Sequence, residues 1–180
     1  MSVERLAKII EGSNNIVVLA GRDMTKESGI RVFRDEDVAY DIEMEYGYSP
    51  EEIFSAAFFS TRVDLFYDFF KKEILLAAEP TEGHKAIAKL EKMGKIKAVV
   101  TRSIYGLDRR AGCENVIELH GSIQQNVCTK CGAVYDADYV KNSLKTPVCK
   151  KCKLILRPTV ALYGDMVDCL LYTSIQELEL

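Results

Sequence analysis

The chain has 180 residues, 48% of them hydrophobic and 28% charged, with a formal net charge of −3. At roughly 100 to 200 residues per domain this length excludes a large two-domain enzyme, and the composition is far from the polar signature of disorder. No apolar run approaches the ~20 residues that cross a bilayer, and the opening MSVERLAKIIEGS carries acids where a signal peptide carries a long apolar stretch, which predicts a cytoplasmic protein with no membrane partner.

In chain order, Val3 to Ile10 has apolar residues at helical spacing, and Ser13 with the two asparagines breaks it. Ile16 to Ala20 is a short, continuously apolar run ending at Gly21, the pattern of a buried parallel strand. From Pro50 to Ala78 the pattern is helical twice over, with Pro50 where a first turn tolerates proline and aromatics from Phe54 to Phe70 as core. Pro80-Thr-Glu-Gly-His84 opens a helix that runs to Gly94, with His84 as a packing or capping residue. Strands follow at Ile96 to Thr101 and Asn115 to Leu119. This alternation predicts an α/β fold, a Rossmann-like, doubly wound parallel sheet with helices, whose ligands bind beyond Ala20, Thr101 and Leu119.

Six cysteines in a reducing compartment are poor disulfide candidates. Four fall as Cys128-x2-Cys131 and Cys149-x2-Cys152, separated by seventeen residues, the spacing of a four-thiolate zinc site. Two cysteines three apart around a tight turn, here with Gly132 after the second, aim both sulfurs at one ion ~2.3 Å away. Four thiolates close the shell and leave no position for water, so the zinc is structural. Cys113 and Cys169 remain as small core residues. Between Cys128 and Pro158 there are seven basic and two acidic residues, net +5, leaving −8 for the rest.

Three strand ends carry motifs: Gly21 to Arg34, Thr101 to Leu107, and His120-Gly121. With the zinc pair and the Arg157 to Asp165 segment after it, this order resembles the sirtuin family of NAD-dependent protein deacylases, a transferase-type chemistry on protein lysines. The resemblance implies an NAD-binding Rossmann domain, a small zinc domain and an acylated protein lysine as substrate. It places His120 as the general base, a role that suits an imidazole of pKa ~6.5. It places Gly21, Thr25, Phe33, Arg34, Arg102 and Ser103 on the cofactor.

The departures fall on that chemistry. Family members have glycine, alanine, glycine, a hydrophobic residue and serine where this chain has Gly21, Arg22, Asp23, Met24 and Thr25. A side chain at the second glycine obstructs the approach to phosphate, and like charges at ~4 Å repel by several kcal/mol where water is partly excluded. Arg102, Ser103, Tyr105 and Asp108 replace glutamine, asparagine, aspartate and histidine, and Arg31 and Val32 replace proline and a small polar residue. Asp168 to Gln176 looks like a later strand and turn with the intervening helix deleted, so the sheet is expected to be truncated at its C-terminal end. The apolar segment Cys169 to Leu180 is then expected to cover the gap, on the same copy or in a homodimer.

The expected division is a Rossmann-like part over 1–122 and 156–180, a zinc-binding ribbon over 123–155 and a helical insertion over 35–80. Three functions follow: a degenerate sirtuin-like pseudoenzyme with weak or absent NAD affinity; an active NAD-dependent deacetylase, deacylase or ADP-ribosyl-transferring enzyme with Arg22 and Arg102 on the cofactor; and a basic zinc ribbon binding nucleic acid or an acidic partner. In the third, Lys130, Lys141, Lys145, Lys150, Lys151 and Lys153 would meet phosphates. Lysines around zinc knuckles are ordinarily a solvated face, which disfavours nucleic acid.

Overall fold

A computed structural model describes residues 2–166, which fall into two compact units: residues 2–28 with 79–119, and residues 29–78 with 120–166. The expectations placed on Asp168 to Gln176 and on the tail from Cys169 lie outside the described residues.

The first unit is built on three parallel strands in the order β1 (Ile16–Ala20), β2 (Ile96–Thr101), β3 (Val116–Glu118). Ile16 pairs with Ile96 and Ala20 with Thr101, and the register shifts once, between Ile16 and Val17. Both strands lie where the sequence places them; β2 is buried except at Lys97, whereas β1, expected to be buried, is fully buried only at Ala20. Helix α7 (Glu82–Lys92) covers the sheet, and its Ala88, with Ile87 and Leu90, joins Ala20, Ile96, Val99, Cys113 and Val116 in the core. Thr81 caps α7, and its backbone N–H donates to Nδ1 of His84 at 3.1 Å; with His84 also 1% exposed, the residue both caps and packs, the two roles the sequence leaves open.

Helix α1 (Val3–Gly12) buries none of its residues. Its C-terminal carbonyls are closed from a distance: Lys95 Nζ donates to the carbonyls of Ile10, Glu11 and Ser13 at 2.9–3.1 Å. A cation there satisfies orphan acceptors and meets the negative end of the helix dipole. Among the described residues β1 is paired only with β2, and Leu19 on it is 73% exposed.

The second unit joins a helical cluster to a small antiparallel sheet. Where the sequence suggests two long helices there are three short ones after α3 (Glu36–Tyr46): α4 (Pro50–Ile53), α5 (Ala56–Thr61) and α6 (Val63–Phe69), followed by a π-turn at Phe70–Ile74. Ser49 and Ser55 each accept the backbone N–H three residues on, capping α4 and α5, and Arg62 leaves helical geometry at φ −137°, ψ 51°. The apolar periodicity survives these breaks because the short helices fold around one aromatic cluster. Phe54, Phe66 and Phe70 stack with centroids 5.6–6.4 Å apart, and Phe59 meets Phe66 edge-on at 5.0 Å.

The sheet has the order β5 (Val134–Asp136), β4 (Gln125–Val127), β6 (Arg157–Pro158), with α9 (Ala137–Lys141) after β5. Asp136 caps α9 by accepting the Tyr139 N–H at 2.7 Å. Helices and sheet are tied by polar bonds: buried Tyr67 donates to Leu156 O at 2.5 Å, and Lys71 Nζ, nearer the surface, to the carbonyls of Ser143 and Lys145. Burial pushes the Tyr67 phenol pKa up and the Lys71 pKa down. No helix among the described residues is long and apolar enough to cross a membrane.

Candidate metal centre and strand-end sites

The four cysteine sulfurs lie within 4.8 Å of one another. A tetrahedral ion with ~2.3 Å bonds sets its sulfurs about 3.8 Å apart, and Sγ of Cys131 is 3.7 Å from Sγ of Cys149. The arrangement fits one zinc. Each pair sits on the same knuckle. In the first, Gly132 N donates to Cys128 O and Cys128 N to Ala133 O, both at 2.9 Å; in the second, Lys153 N donates to Cys149 O at 2.9 Å and Cys149 N to Leu154 O at 2.7 Å. Closing either knuckle requires a left-handed residue after its second cysteine. Gly132 supplies it at φ 68°, and Lys153 does so at φ 60°, the positive-φ residue here that is not glycine.

Two donors converge on Cys149: the Tyr135 hydroxyl at 3.3 Å and the Cys152 N–H at 3.4 Å. The Tyr135 bond and then the backbone donors pull the thiol pKa down to about 6, toward the thiolate a metal needs. The sequence does not reveal this contact, because nothing in the local pattern of Tyr135 shows that it reaches a cysteine fourteen residues on.

His120 is half-buried, two residues past the last residue of β3 in the chain. Its carbonyl accepts the Ala161 N–H at 2.9 Å, and Gly121 follows at φ 67°. A Cβ on Gly121 would meet the Thr159 carbonyl, 3.0 Å from its carbon and closer still to its oxygen, with Val160 Cα at 3.1 Å. The histidine therefore rests on a backbone contact that glycine permits. In the same unit Arg34 lies over the rings of Phe33 at 5.6 Å and Tyr163 at 5.3 Å, and its Nε donates to the Tyr163 hydroxyl at 2.8 Å. Asp165 accepts two bonds from Arg157 Nη2, at 2.6 and 2.8 Å, and one from Leu162 N at 2.8 Å, which fixes the turn after Tyr163.

The remaining candidates belong to the first unit. Gly21 caps α2 (Arg22–Glu27), and nothing lies within 4 Å of where its Cβ would stand, so the backbone is open to a ligand. Asp23 lies exposed in the first turn of that helix. An acid there already supplies the negative charge that a helix N-terminus favours, and it repels a second one. Thr25 is buried, and its hydroxyl donates to Ser103 Oγ at 3.1 Å. Ser103 N donates to Thr101 Oγ1 at 3.1 Å, and Tyr105 is buried, its phenol pKa raised by desolvation. Arg102 is exposed, its N–H donating to Ala20 O at 3.2 Å across the strand ends. The open glycine fits a phosphate, whereas the carboxylate beside it does not, and the hydroxyls of Thr25 and Ser103 are turned toward each other. Asp108 is 1% exposed and its Oδ1 has no partner.

The model of the Sir2 family matches residues 21–180. The chain is similar to an NAD-dependent protein deacetylase of Clostridium perfringens, 39% identical over 167 residues, which cover 92% of this chain and 68% of that protein. It is also similar to NAD-dependent protein deacylase 2 of Pyrobaculum aerophilum, 36% identical over 89% of this chain and 63% of that one. Among solved structures, a Sir2 homologue in complex with NAD superposes with a TM-score of 0.82 at 30% identity, covering 99% of this chain and 68% of the other. Sir2 bound to an acetylated peptide superposes with a TM-score of 0.80 at 28% identity, covering 99% and 71%.

Proposed function

The chain belongs to the Sir2 family, and we propose that it is a zinc-bearing sirtuin domain in which the family's NAD-dependent lysine deacylation is degenerate. The carrying observation is the strand-end set of the first unit: Asp23 in the first turn of α2, and Thr25 and Ser103 bonded to each other beside buried Tyr105. A cofactor phosphate meets a like charge at that turn, and ribose hydroxyls find two of their candidate partners already satisfied. The general base contributes typically 10² to 10⁴-fold, a factor without effect when the reacting carbon is not positioned. In this reading His120 keeps the place of the base, beside Gly121, and within the first unit Gly21 and Arg102 are the residues left to meet NAD.

The test is calorimetry with NAD and an acetylated-lysine peptide, alongside a deacylation assay. No binding at millimolar NAD and no turnover are expected, and Asp23→Gly with Ser103→Asn and Tyr105→Asp is expected to restore measurable binding. Robust NAD-dependent activity in the unaltered chain sinks the reading. It would favour the second one, an active deacylase or ADP-ribosyl-transferring enzyme, which the open backbone at Gly21 supports.

An acylated protein lysine is the partner of the active form, and a cytoplasmic setting suits a four-thiolate site that oxidation would destroy. A homodimer belongs to the same reading, supported by the exposed Leu19 on β1; light scattering at micromolar concentration that finds only monomer removes it. The division into 1–122 with 156–180, 123–155 and 35–80 is proposed as well. The four clustered cysteines, all within 123–155, support it, whereas the pairing of β6 with β4 carries the zinc-bearing sheet past residue 155; limited proteolysis that fails to cut near the boundaries counts against it.

A further inference from the structure

We infer that Tyr135 is a positioning residue of the metal centre: its hydroxyl donates to the Cys149 thiolate and holds that sulfur on the zinc. The inference rests on the zinc reading and extends it to a residue outside the ligand set.

The phenol has one proton and two lone pairs. Lys150 N donates to the Tyr135 oxygen at 2.8 Å, which occupies an acceptor position, and the Cys149 sulfur lies 3.3 Å away on the side left for the proton. The oxygen thus bridges the sulfur and the backbone of the very next residue, so sulfur and knuckle backbone cannot move independently of the ring. The ring itself is fixed. Tyr135 stands on β5, and its ring stacks on Tyr139 of α9 with centroids 4.7 Å apart. Tyr139 donates to Val148 O at 2.8 Å, and Lys150 Nζ lies 4.9 Å over the Tyr139 ring. Two tyrosines therefore grip residues 148–150, and of the two it is Tyr135 that reaches the sulfur. That asymmetry separates the sulfur contact from ordinary packing.

A hydrogen bond drains electron density from a thiolate and fixes its direction, and loss of such an outer partner typically costs 10- to 100-fold in metal affinity. The full chain is loaded with zinc and challenged with a chromogenic chelator, and a second sample is loaded with cobalt(II) to read the thiolate-to-metal charge-transfer band. Tyr135→Phe keeps the ring and removes the donor; Tyr139→Phe keeps the stack and removes only the bond to Val148. Expected is a drop of about 10- to 100-fold in zinc affinity for Tyr135→Phe, with its cobalt band moved to longer wavelength, and near-unaltered values for Tyr139→Phe.

Equal zinc affinity and an unmoved band in Tyr135→Phe overturn the inference, as does an equal change in Tyr139→Phe. If Tyr135→Phe does not fold, 3-fluorotyrosine at position 135, a stronger donor, moves the cobalt band to shorter wavelength; an unmoved band overturns the inference. A wild-type chain that takes up neither zinc nor cobalt overturns the metal reading and the inference together, whereas a metal-replete wild type matched by Tyr135→Phe overturns the inference alone.

Discussion

In residues 120–166 four thiols converge on one point, and the backbone bonds that close each knuckle run between near neighbours in the chain. In residues 2–28 and 79–119 the polar groups at the strand ends come from segments about eighty residues apart, and there Thr25 has been matched to Ser103 rather than left toward a ligand. The contrast teaches that a site closed on itself and a site open to a ligand are held together by different means. A closed four-thiolate site contributes to folding whatever the rest of the protein does, so its ligands are retained with the fold. Cofactor contacts are polar groups that fold adequately once they satisfy one another.

Metal removal tests the contrast most severely. Structural zinc binding is worth about 10–16 kcal/mol in small domains at neutral pH. Cys149→Ser, or chelation of the wild type, is expected to drop zinc from about one equivalent to under half and to abolish amide protection in β4, β5 and β6. Protection in β1 and β2 is expected to change far less. Equal loss in both sheets would mean that the metal supports the whole chain and that the two regions are not separable in stability.

Gly121→Ala probes the histidine with a smaller effect. The new Cβ meets the Thr159 carbonyl and Val160 Cα, and the residue must also hold φ near 67°, a region that costs a non-glycine of order 1–3 kcal/mol. A loss of about 3 kcal/mol in denaturant unfolding is expected, with zinc content unchanged. An unperturbed midpoint would show that the 120–121 turn is free to move, and that His120 is not positioned by it.

How much of this the sequence shows depends on the range of the interaction. The strand Ile16–Ala20 is legible because a continuous apolar run of five residues has few other uses, Ile96–Thr101 because Ala98, Val99 and Val100 follow closely on the end of a helix, and the cysteine pairs because ligand spacing is local. His84 reads as a cap because its partner Thr81 is three residues away. The long helix pattern over 50–78 misleads: periodicity reports which residues face the aromatic cluster, and short capped helices satisfy it as well as long ones. The Thr25–Ser103 bond, the Arg34–Tyr163 pair and the Tyr135 contact are not legible, since each joins residues that only the folded chain brings together.

Within the first unit, Cys113 supplies a pH signature that the metal-bound thiols cannot. It is 4% exposed, and burial, then the charges of Glu91 and Asp108, push its pKa up to about 11. The unfolded thiol titrates near 8.5. The folded state thus holds its proton where the unfolded state has released it. This contribution to stability is fully present below the unfolded value and is lost as pH rises through about 11. Cys113→Ala is expected to flatten the alkaline limb of a zinc-free unfolding profile between those values. An unchanged limb would place the alkaline loss elsewhere, with the tyrosines as the next candidates.

The smallest expected effect compares the two knuckles. They have the same bonds and the same left-handed turn, yet one uses Gly132 and the other Lys153, at φ 68° and 60°. A side chain in that region brings Cβ against the following carbonyl at a cost of roughly 1–2 kcal/mol. Glycine avoids this cost but gives back part through the greater entropy it loses on folding. Lys153→Gly should therefore stabilise the metal-loaded protein by about 0.5–1 kcal/mol, and Gly132→Ala should destabilise it by a similar amount. Thermal unfolding of both variants at one zinc concentration measures the pair. If Lys153→Gly destabilises, the lysine makes a contribution that outweighs its backbone strain, and the two knuckles are not interchangeable versions of one turn. If both variants are neutral, metal coordination fixes the turns so firmly that the intrinsic preference of the residue no longer registers. That result would extend the dominance of the metal over this unit from its sheet down to single backbone angles.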